Sequence, residues 1–180
     1  MADLDRPYVF RYVEDSADTV AQLLGKPAPV RPVVTVRLSN APETTYRVVA
    51  LVDSGSERTF AAPGLARALR LDLSSVPEVV IGLGGAPRSV RFVEVTIELF
   101  QNLLDDEAPP IAEWRADVGF IREWEPAWAV LLGRDGFFDQ FTVTMHGGVP
   151  GLAIEPWRTF DERFGTEIDE ADLRQPRFRP

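Results

Sequence analysis

Apolar and polar residues alternate, or form short apolar runs, over most of the chain between Val33 and Met145. Strict alternation is typical of a half-buried β-strand, and a continuous β-branched run is typical of a strand buried on both faces. Phe141–Met145 shows the first pattern and Tyr46–Val52 shows the second. The predicted strands are Val33–Leu38, Tyr46–Val52, Val76–Ile81, Ser89–Phe100, Ala127–Leu132 and Phe141–Met145. Ile111–Ile121 is predicted to be either a strand pair or one irregular strand.

Helical patterns are few and short. One helix is predicted over Pro63–Leu71, where Pro63 can open the helix and Leu65 and Leu69 would face the core. Weaker patterns mark Ser16–Leu24 and a segment around Trp157–Phe164 as short helices. The sequence therefore predicts a mostly β fold with one or two short helices.

A chain of 180 residues is the size of one domain with appendages. The β pattern places the domain over residues 31–147, after an N-terminal extension over 1–30. Residues 148–180 are predicted to be a C-terminal extension that is partly disordered, because the tail is rich in Pro, Gly and charge.

Composition excludes several classes of function. The chain has no Cys, so disulfides, thiol nucleophiles and thiolate metal sites are excluded. With one His as well, a zinc site would need mostly carboxylates, so no metal site is expected. The formal net charge of −9 disfavours nucleic acid and anionic membranes as partners. We expect a cytoplasmic protein, since no signal peptide and no apolar run of about 20 residues is found.

The chemistry of the sequence is concentrated just after the apolar run 46–52. The predicted strand delivers a carboxylate, Asp53, with hydroxyls beside it on Ser54 and Ser56. Gly55 removes a side chain where a ligand or another backbone has to come close. Two carboxylates held close together can share one proton, so that one acts as a base on water while the other polarises a carbonyl group.

Three segments of the chain resemble those of retropepsin-like (retroviral-type) aspartic proteases. LVDSGSERTF, at 51–60, is similar to the family's active-site signature. AVLLGRDGFF, at 129–138, resembles the later motif in which an apolar strand ends in Gly and forms a ψ-shaped loop with the catalytic strand. The glycine-rich segment 81–86 lies between them and resembles the flap over bound peptide. The order of these blocks makes the resemblance specific, and it implies a closed, barrel-like single lobe.

The resemblance implies a role for each residue of the first block. Asp53 would be the catalytic carboxylate, and the Ser54 hydroxyl would reach across a dimer. Gly55 would orient substrate backbone. A hydroxyl at Ser56 would donate to the carboxylate and favour its ionised form, which predicts an acidic optimum. The other implied residues are the structural Thr59, the flap glycines Gly82, Gly84 and Gly85, and an ion pair between Glu57 and Arg134 near the dimer interface.

Only one Asp-Ser-Gly motif occurs in the chain, so the second carboxylate would have to come from a partner subunit. The resemblance therefore implies a cofactor-free endopeptidase that is active as a homodimer and cleaves peptides or unfolded proteins. The main alternative is a catalytically inactive dimeric module that binds peptides or a protein partner in the same cleft.

Other readings of these residues are weaker. A serine hydrolase could pair His146 with Ser54 or Ser56, but no nucleophile elbow is present. Gly82–Gly85 is explained as a hairpin turn rather than a phosphate loop, since no Lys-Ser/Thr follows it. The acidic run at 105–107 fits a solvated loop. For Trp114, Trp124 and Trp128 we expect core packing or a dimer contact rather than a substrate subsite.

Overall fold

The structure of the protein is a computed structural model that describes residues 4, 6–16, 18–83, 85–124 and 126–164. Strands make up 47% and helices 12%, which confirms the mostly β class. The described strands are β1 (Tyr8–Arg11), β2 (Val13–Glu14), β3 (Val30–Arg31), β4 (Val33–Asn40), β5 (Glu43–Thr44), β6 (Val48–Val52), β7 (Thr59–Ala61), β8 (Val79–Leu83), β9 (Ala86–Phe100), β10 (Ala112–Ile121), β11 (Val130–Leu132), β12 (Phe141–His146) and β13 (Gly151–Pro156). The described helices are α1 (Thr19–Leu23), α2 (Pro63–Ala68) and α3 (Arg158–Phe164), and a 3-10 turn covers Leu73–Ser75.

Six strands close into a barrel. Their order is β4, β6, β11, β7, β10 and β9, and β9 pairs back onto β4 with Val36 opposite Leu99. Inward-facing aliphatic side chains fill the barrel, and Leu65 of α2 and Leu69 at its C-terminal cap are almost fully buried, as predicted. The long strands β9 and β10 pair over ten residues and form the back wall of the lobe.

A second sheet joins the two ends of the described chain. Its order is β1–β13–β12, with Phe10 opposite Leu152 and Tyr8 opposite Ile154. These four side chains are buried in the same core as the barrel, so both predicted extensions contribute to the domain. The sequence pattern predicted no strand at β13 and was wrong there, because this strand depends on partners distant in sequence. The end of the predicted disordered tail lies outside the described residues.

Several element boundaries differ from the predicted ones. Strand β6 begins at Val48 rather than Tyr46, whose side chain is 73% exposed. Strand β8 begins at Val79 rather than Val76, since residues 76–78 connect the 3-10 turn to the strand without pairing in the sheet. Helix α1 begins after Asp18, whose carboxylate accepts a hydrogen bond from the Ala21 N–H at 2.9 Å. No helix in the described part of the chain is long and apolar enough to cross a membrane.

An aromatic cluster packs the loop after β11 onto the barrel. Trp114 of β10 is buried, its Nε1–H donates to the carbonyl of Gly136, and its ring meets Phe141 edge-on at 5.0 Å. Phe137 is fully buried between them. Trp114 is therefore a core residue, one of the two roles expected for it.

Candidate active site

Strand β11 lies between β6 and β7, and the loop 53–58 that joins β6 to β7 passes across its end. β11 runs parallel to β6, with Leu132 opposite Val52, and antiparallel to β7. The Asp53 N–H donates to the Leu132 carbonyl at 3.0 Å. The carboxylate therefore stands at the carboxyl ends of two adjacent parallel strands, in a ψ-shaped arrangement of the kind that the sequence motifs implied.

The turn after β6 fixes the orientation of the Asp53 side chain. Asp53 is half-buried, and its Oδ1 accepts a hydrogen bond from the Gly55 N–H at 3.0 Å. The Ser56 N–H closes the turn by donating to the Asp53 carbonyl at 3.1 Å. Ser54 and Gly55 are exposed beside the carboxylate. Oδ1 is thus held by a backbone donor, while the residues next to it remain open to a ligand or another subunit.

Ser56 does not have the predicted hydrogen bond. Its side chain is buried, and its hydroxyl donates to the Arg58 carbonyl at 2.7 Å rather than to Asp53. The turn directs this side chain inward, where the hydroxyl satisfies a backbone acceptor of the same loop. The predicted donation to the carboxylate is therefore wrong, and the argument for an acidic optimum loses its basis.

The residues that follow β11 are hydrogen-bonded to the Asp53 loop and to Thr59. The buried Thr59 hydroxyl donates to the Asp135 carbonyl at 3.0 Å and accepts from the Gly133 N–H at 3.2 Å. Two further backbone bonds cross between the segments, from Arg134 N to Ser56 O and from Asp135 N to Glu57 O, both at 2.9 Å. The Thr59 hydroxyl thus links the end of the Asp53 loop to the segment that follows β11.

Gly133 lies where the two segments cross most closely. A Cβ atom at this position would lie 2.1 Å from the carbonyl oxygen of Arg58. Any side chain would therefore collide with backbone, which gives a steric reason for the glycine that ends the β11 motif.

Two ion pairs lie on the outer surface of this crossing. Arg134 Nη2 is 3.2 Å from Glu57 Oε1, so the predicted contact is present, while its place at a dimer interface stays a prediction. Arg58 pairs with Asp135, a contact that was not predicted. All four side chains are at least half exposed, so each pair contributes about 0–1 kcal/mol at most to stability. The backbone bonds and Thr59 hold the loop instead.

The β8–β9 hairpin forms the opposite wall of a cavity above Asp53. Gly82 lies in β8 opposite Pro87, and Gly85 adopts a left-handed conformation at the tip (φ 80°), whereas Gly84 lies outside the described residues. The cavity has a volume of about 550 Å³, within the range of sites that bind small ligands or side chains. It is lined by Asp53, Gly55, Ser56, Glu57, Arg58, Phe60, Ile81, Gly82 and Leu83.

A small apolar cluster, separate from the main core, supports the hairpin. Phe60, Val90, Ile121 and Leu131 form its buried part. The partly buried members that pack against them are Leu51, Ile81, Leu83, Phe92 and Trp124. This cluster makes one wall of the cavity apolar and joins the hairpin to the strand that follows the Asp53 loop.

Sequence reasoning missed one residue of this wall and the glycine that lies behind it. Phe60 was quoted only as part of a motif, yet its side chain lines the cavity and tilts against Phe92 at 6.0 Å. Gly119 of β10 lies behind it, and a Cβ there would come within 2.7 Å of the Phe60 ring. The sequence offers no signal for this contact, since Gly119 reads as an ordinary strand residue.

Other predicted residues do not line this cavity. His146 ends β12, and its Nδ1 accepts from the Val149 N–H at 2.8 Å, while Ser56 bonds Arg58. The described hydrogen bonds therefore provide no serine–histidine pair. Trp124 packs on the apolar cluster and donates to the Trp128 carbonyl at 2.8 Å. In the described ranges, no group of three or more His, Asp or Glu side chains is placed to hold a metal ion.

No protein-family model matches the chain, and no curated protein matches it at a significant level.

Proposed function

We propose that the chain is one subunit of a homodimeric, retropepsin-like aspartic endopeptidase. The observation that supports this proposal most strongly is the position of Asp53. It directly follows β6, it is bonded to β11 where that strand lies between β6 and β7, and it faces a cavity under the β8–β9 hairpin.

The chemistry requires a second carboxylate next to Asp53. Glu57 is the other carboxylate that lines the cavity, and it is exposed and paired with Arg134. A two-fold axis beside the Asp53 loop would bring in Asp53 of a second copy and place two equivalent carboxylates together. Such a pair shares one proton, because two like charges about 3 Å apart cannot both ionise.

Peptide hydrolysis by this pair follows from its shared proton. The ionised carboxylate accepts a proton from water as the water oxygen attacks the scissile carbonyl carbon. The protonated carboxyl donates to the carbonyl oxygen, which becomes a hydroxyl of the tetrahedral intermediate. Transfer of a proton to the amide nitrogen then allows the C–N bond to break, and the products are a carboxylic acid and an amine. No cofactor is needed.

An extended peptide is the substrate that suits this cavity best. A peptide between the hairpin and the Asp53 loop could add to the sheet as a strand, with alternate side chains directed into the cavity. Phe60, Ile81 and Leu83 provide an apolar surface on one side of it. Apolar side chains next to the scissile bond would bury area there, so we expect cleavage within apolar stretches of unfolded chains.

Cleavage of an unstructured peptide mixture between about pH 3 and 7 tests the proposal, since this range spans the titration of carboxyl pairs. Asp53→Asn should lower the rate at least about a thousandfold, because it removes both carboxylates of the dimer at once. Asp117→Asn is the matched control, since Asp117 is an exposed carboxylate on β10, and it should leave the rate unchanged.

Two outcomes would count against the proposal. Equal cleavage by the wild type and Asp53→Asn would remove Asp53 from the chemistry. Peptide binding without cleavage by either protein would instead favour a non-catalytic binding module. The apolar wall of the cavity supports that second candidate, because it would bind apolar side chains whether or not hydrolysis follows.

A further inference from the structure

An apolar arm precedes the barrel. The arm consists of β2, α1 and β3, that is, residues 13–16 and 18–31 of the described chain. Its β-strands pair with each other in a two-stranded sheet that is separate from the barrel sheet. Its large apolar side chains are unusually exposed: Val13 47%, Val20 62%, Leu23 85%, Leu24 61% and Val30 43%.

Helix α1 receives little stabilisation from its own chain. It has only five residues, and none of them is buried. So short a helix is marginal in water, and helices in proteins draw most of their stability from packing an apolar face. Local polar contacts hold this one: its Asp18 cap, and Arg31, which lies 3.4 Å from Asp15 and 3.3 Å from Asp18. The apolar side of α1 is therefore suited to packing against another molecule.

The arm joins the barrel beside the candidate catalytic residue. Pro32 follows β3, and its carbonyl accepts a hydrogen bond from the Val52 N–H at 2.8 Å. The next residue, Val33, pairs with Leu51. Asp53 comes directly after Val52, so the base of the arm and the carboxylate lie at the same end of β6.

We infer that the arm is the surface on which a second copy of this chain docks. The inference rests on the proposed function, which requires a second Asp53 at this end of the barrel. A partner brought to that position meets the base of the arm, because the arm is bonded to the strand that delivers Asp53. In a two-fold dimer each copy contributes its own arm to the interface, so the apolar area that one arm buries is buried twice.

Charge and strand pairing also favour apolar docking through the arm. Two copies with a formal charge of −9 each repel one another, so their association needs apolar burial rather than long-range attraction. Strand β13 is hydrogen-bonded on both sides by β1 and β12 of its own chain, so it is not available to pair with a partner. The arm offers exposed apolar area, and its base lies at the Asp53 end of β6, so docking there breaks neither sheet.

Sedimentation equilibrium of the full chain over a dilution series tests the inference. Leu23→Asp should raise the dimer dissociation constant more than about tenfold, because it places a charge in the contact from both subunits. Leu104→Asp is a matched control, since Leu104 is equally exposed (88%) in the loop after β9, and it should associate like the wild type. Circular dichroism should be the same for all three proteins.

A labelling experiment keeps the inference testable without adding charge. The chain has no Cys, so Leu23→Cys and Leu104→Cys each provide one thiol. Alkylation at position 23 should slow as protein concentration rises, while alkylation at position 104 should not.

The outcomes separate the inference from the proposed function. A wild-type chain that stays monomeric, or a Leu23→Asp dimer as tight as the wild-type dimer, overturns the docking surface. A dimer weakened by Leu23→Asp that cleaves no peptide supports the docking surface and contradicts the protease. Loss of cleavage in Asp53→Asn with the dimer intact supports the protease whichever surface forms the dimer.

Discussion

Replacing Gly133 by alanine adds one methyl group where the β11 motif crosses the Asp53 loop. The new Cβ would lie 2.1 Å from the Arg58 carbonyl oxygen, 2.5 Å from its carbonyl carbon and 3.0 Å from its nitrogen. All three are backbone atoms, which cannot rotate away as the end of a side chain can. The two segments must therefore separate, and the floor of the site must move with them.

The cost follows from the bonds that hold the crossing together. Separation strains three of them, at Gly133 N, Arg134 N and Asp135 N, and each is worth about 0.5–1.5 kcal/mol net. Overpacking in a well-packed region adds about 1–3 kcal/mol. Partial relaxation will recover some of this, so we expect Gly133→Ala to lower the free energy of unfolding by about 3 kcal/mol.

Urea unfolding followed by tryptophan fluorescence and circular dichroism measures this loss. The control is Gly82→Ala in the hairpin, where no atom lies within 4 Å of the added Cβ and φ is not left-handed. The control should change the free energy of unfolding by no more than about 0.5 kcal/mol. A loss below about 1 kcal/mol for Gly133→Ala, or the same loss in both variants, would refute the close crossing of the two segments.

Two further predictions concern polar groups around the site. Thr59→Val keeps the shape of a fully buried residue but removes the hydroxyl that bonds Gly133 and Asp135, so it should cost about 1–3 kcal/mol in urea unfolding. Thr59→Ser keeps the hydroxyl and should cost less; equal losses would contradict this role. At the root of the hairpin, the Ser89 hydroxyl and then the Arg91 guanidinium lower the pKa of Glu78. The contribution of Glu78 to folding is therefore present above its ordinary pKa of about 4.3 and is lost as the pH falls below it. Ser89→Ala should raise the pKa of Glu78, measured by NMR titration of the carboxyl carbon, and an unmoved midpoint would contradict the contact.

The parts of the fold that the sequence predicted are those with strong local patterns. Strand β12 forms where the alternation of 141–145 predicted a strand, and Pro63 opens α2 as predicted. Strand β13 was not predicted, because its sequence GLAIEP is short, is bounded by Gly and Pro, and resembles a loop. It forms because Leu152 and Ile154 are buried and because β1 and β12 satisfy its backbone. These causes are tertiary, so a local pattern cannot reveal them.

In the candidate site too, the sequence motif identifies the residues involved but not the hydrogen bonds that they make. The motif brought Asp53, Thr59 and Gly133 to attention, and the structure places them in one hydrogen-bonded crossing. The same motif could not show which acceptor the Ser56 hydroxyl would choose, because that depends on how the turn orients the side chain. The Arg58 carbonyl, at 2.7 Å, is the acceptor in the structure.

The way Asp53 is held bears on how a pair of such residues could form. Its Oδ1 accepts the Gly55 N–H, and no described residue donates to Oδ2. Since no buried polar side-chain atom of the described residues lacks a partner, Oδ2 is accessible to solvent. In the proposed dimer, Oδ2 is the atom free to meet the second carboxylate and share its proton. The shared proton removes the repulsion between two charges, but taking it up costs free energy above the ordinary carboxyl pKa, so apolar association elsewhere has to compensate for that cost. The arm carries exposed apolar side chains, and its base is bonded to β6 at the end of the barrel where Asp53 follows that strand.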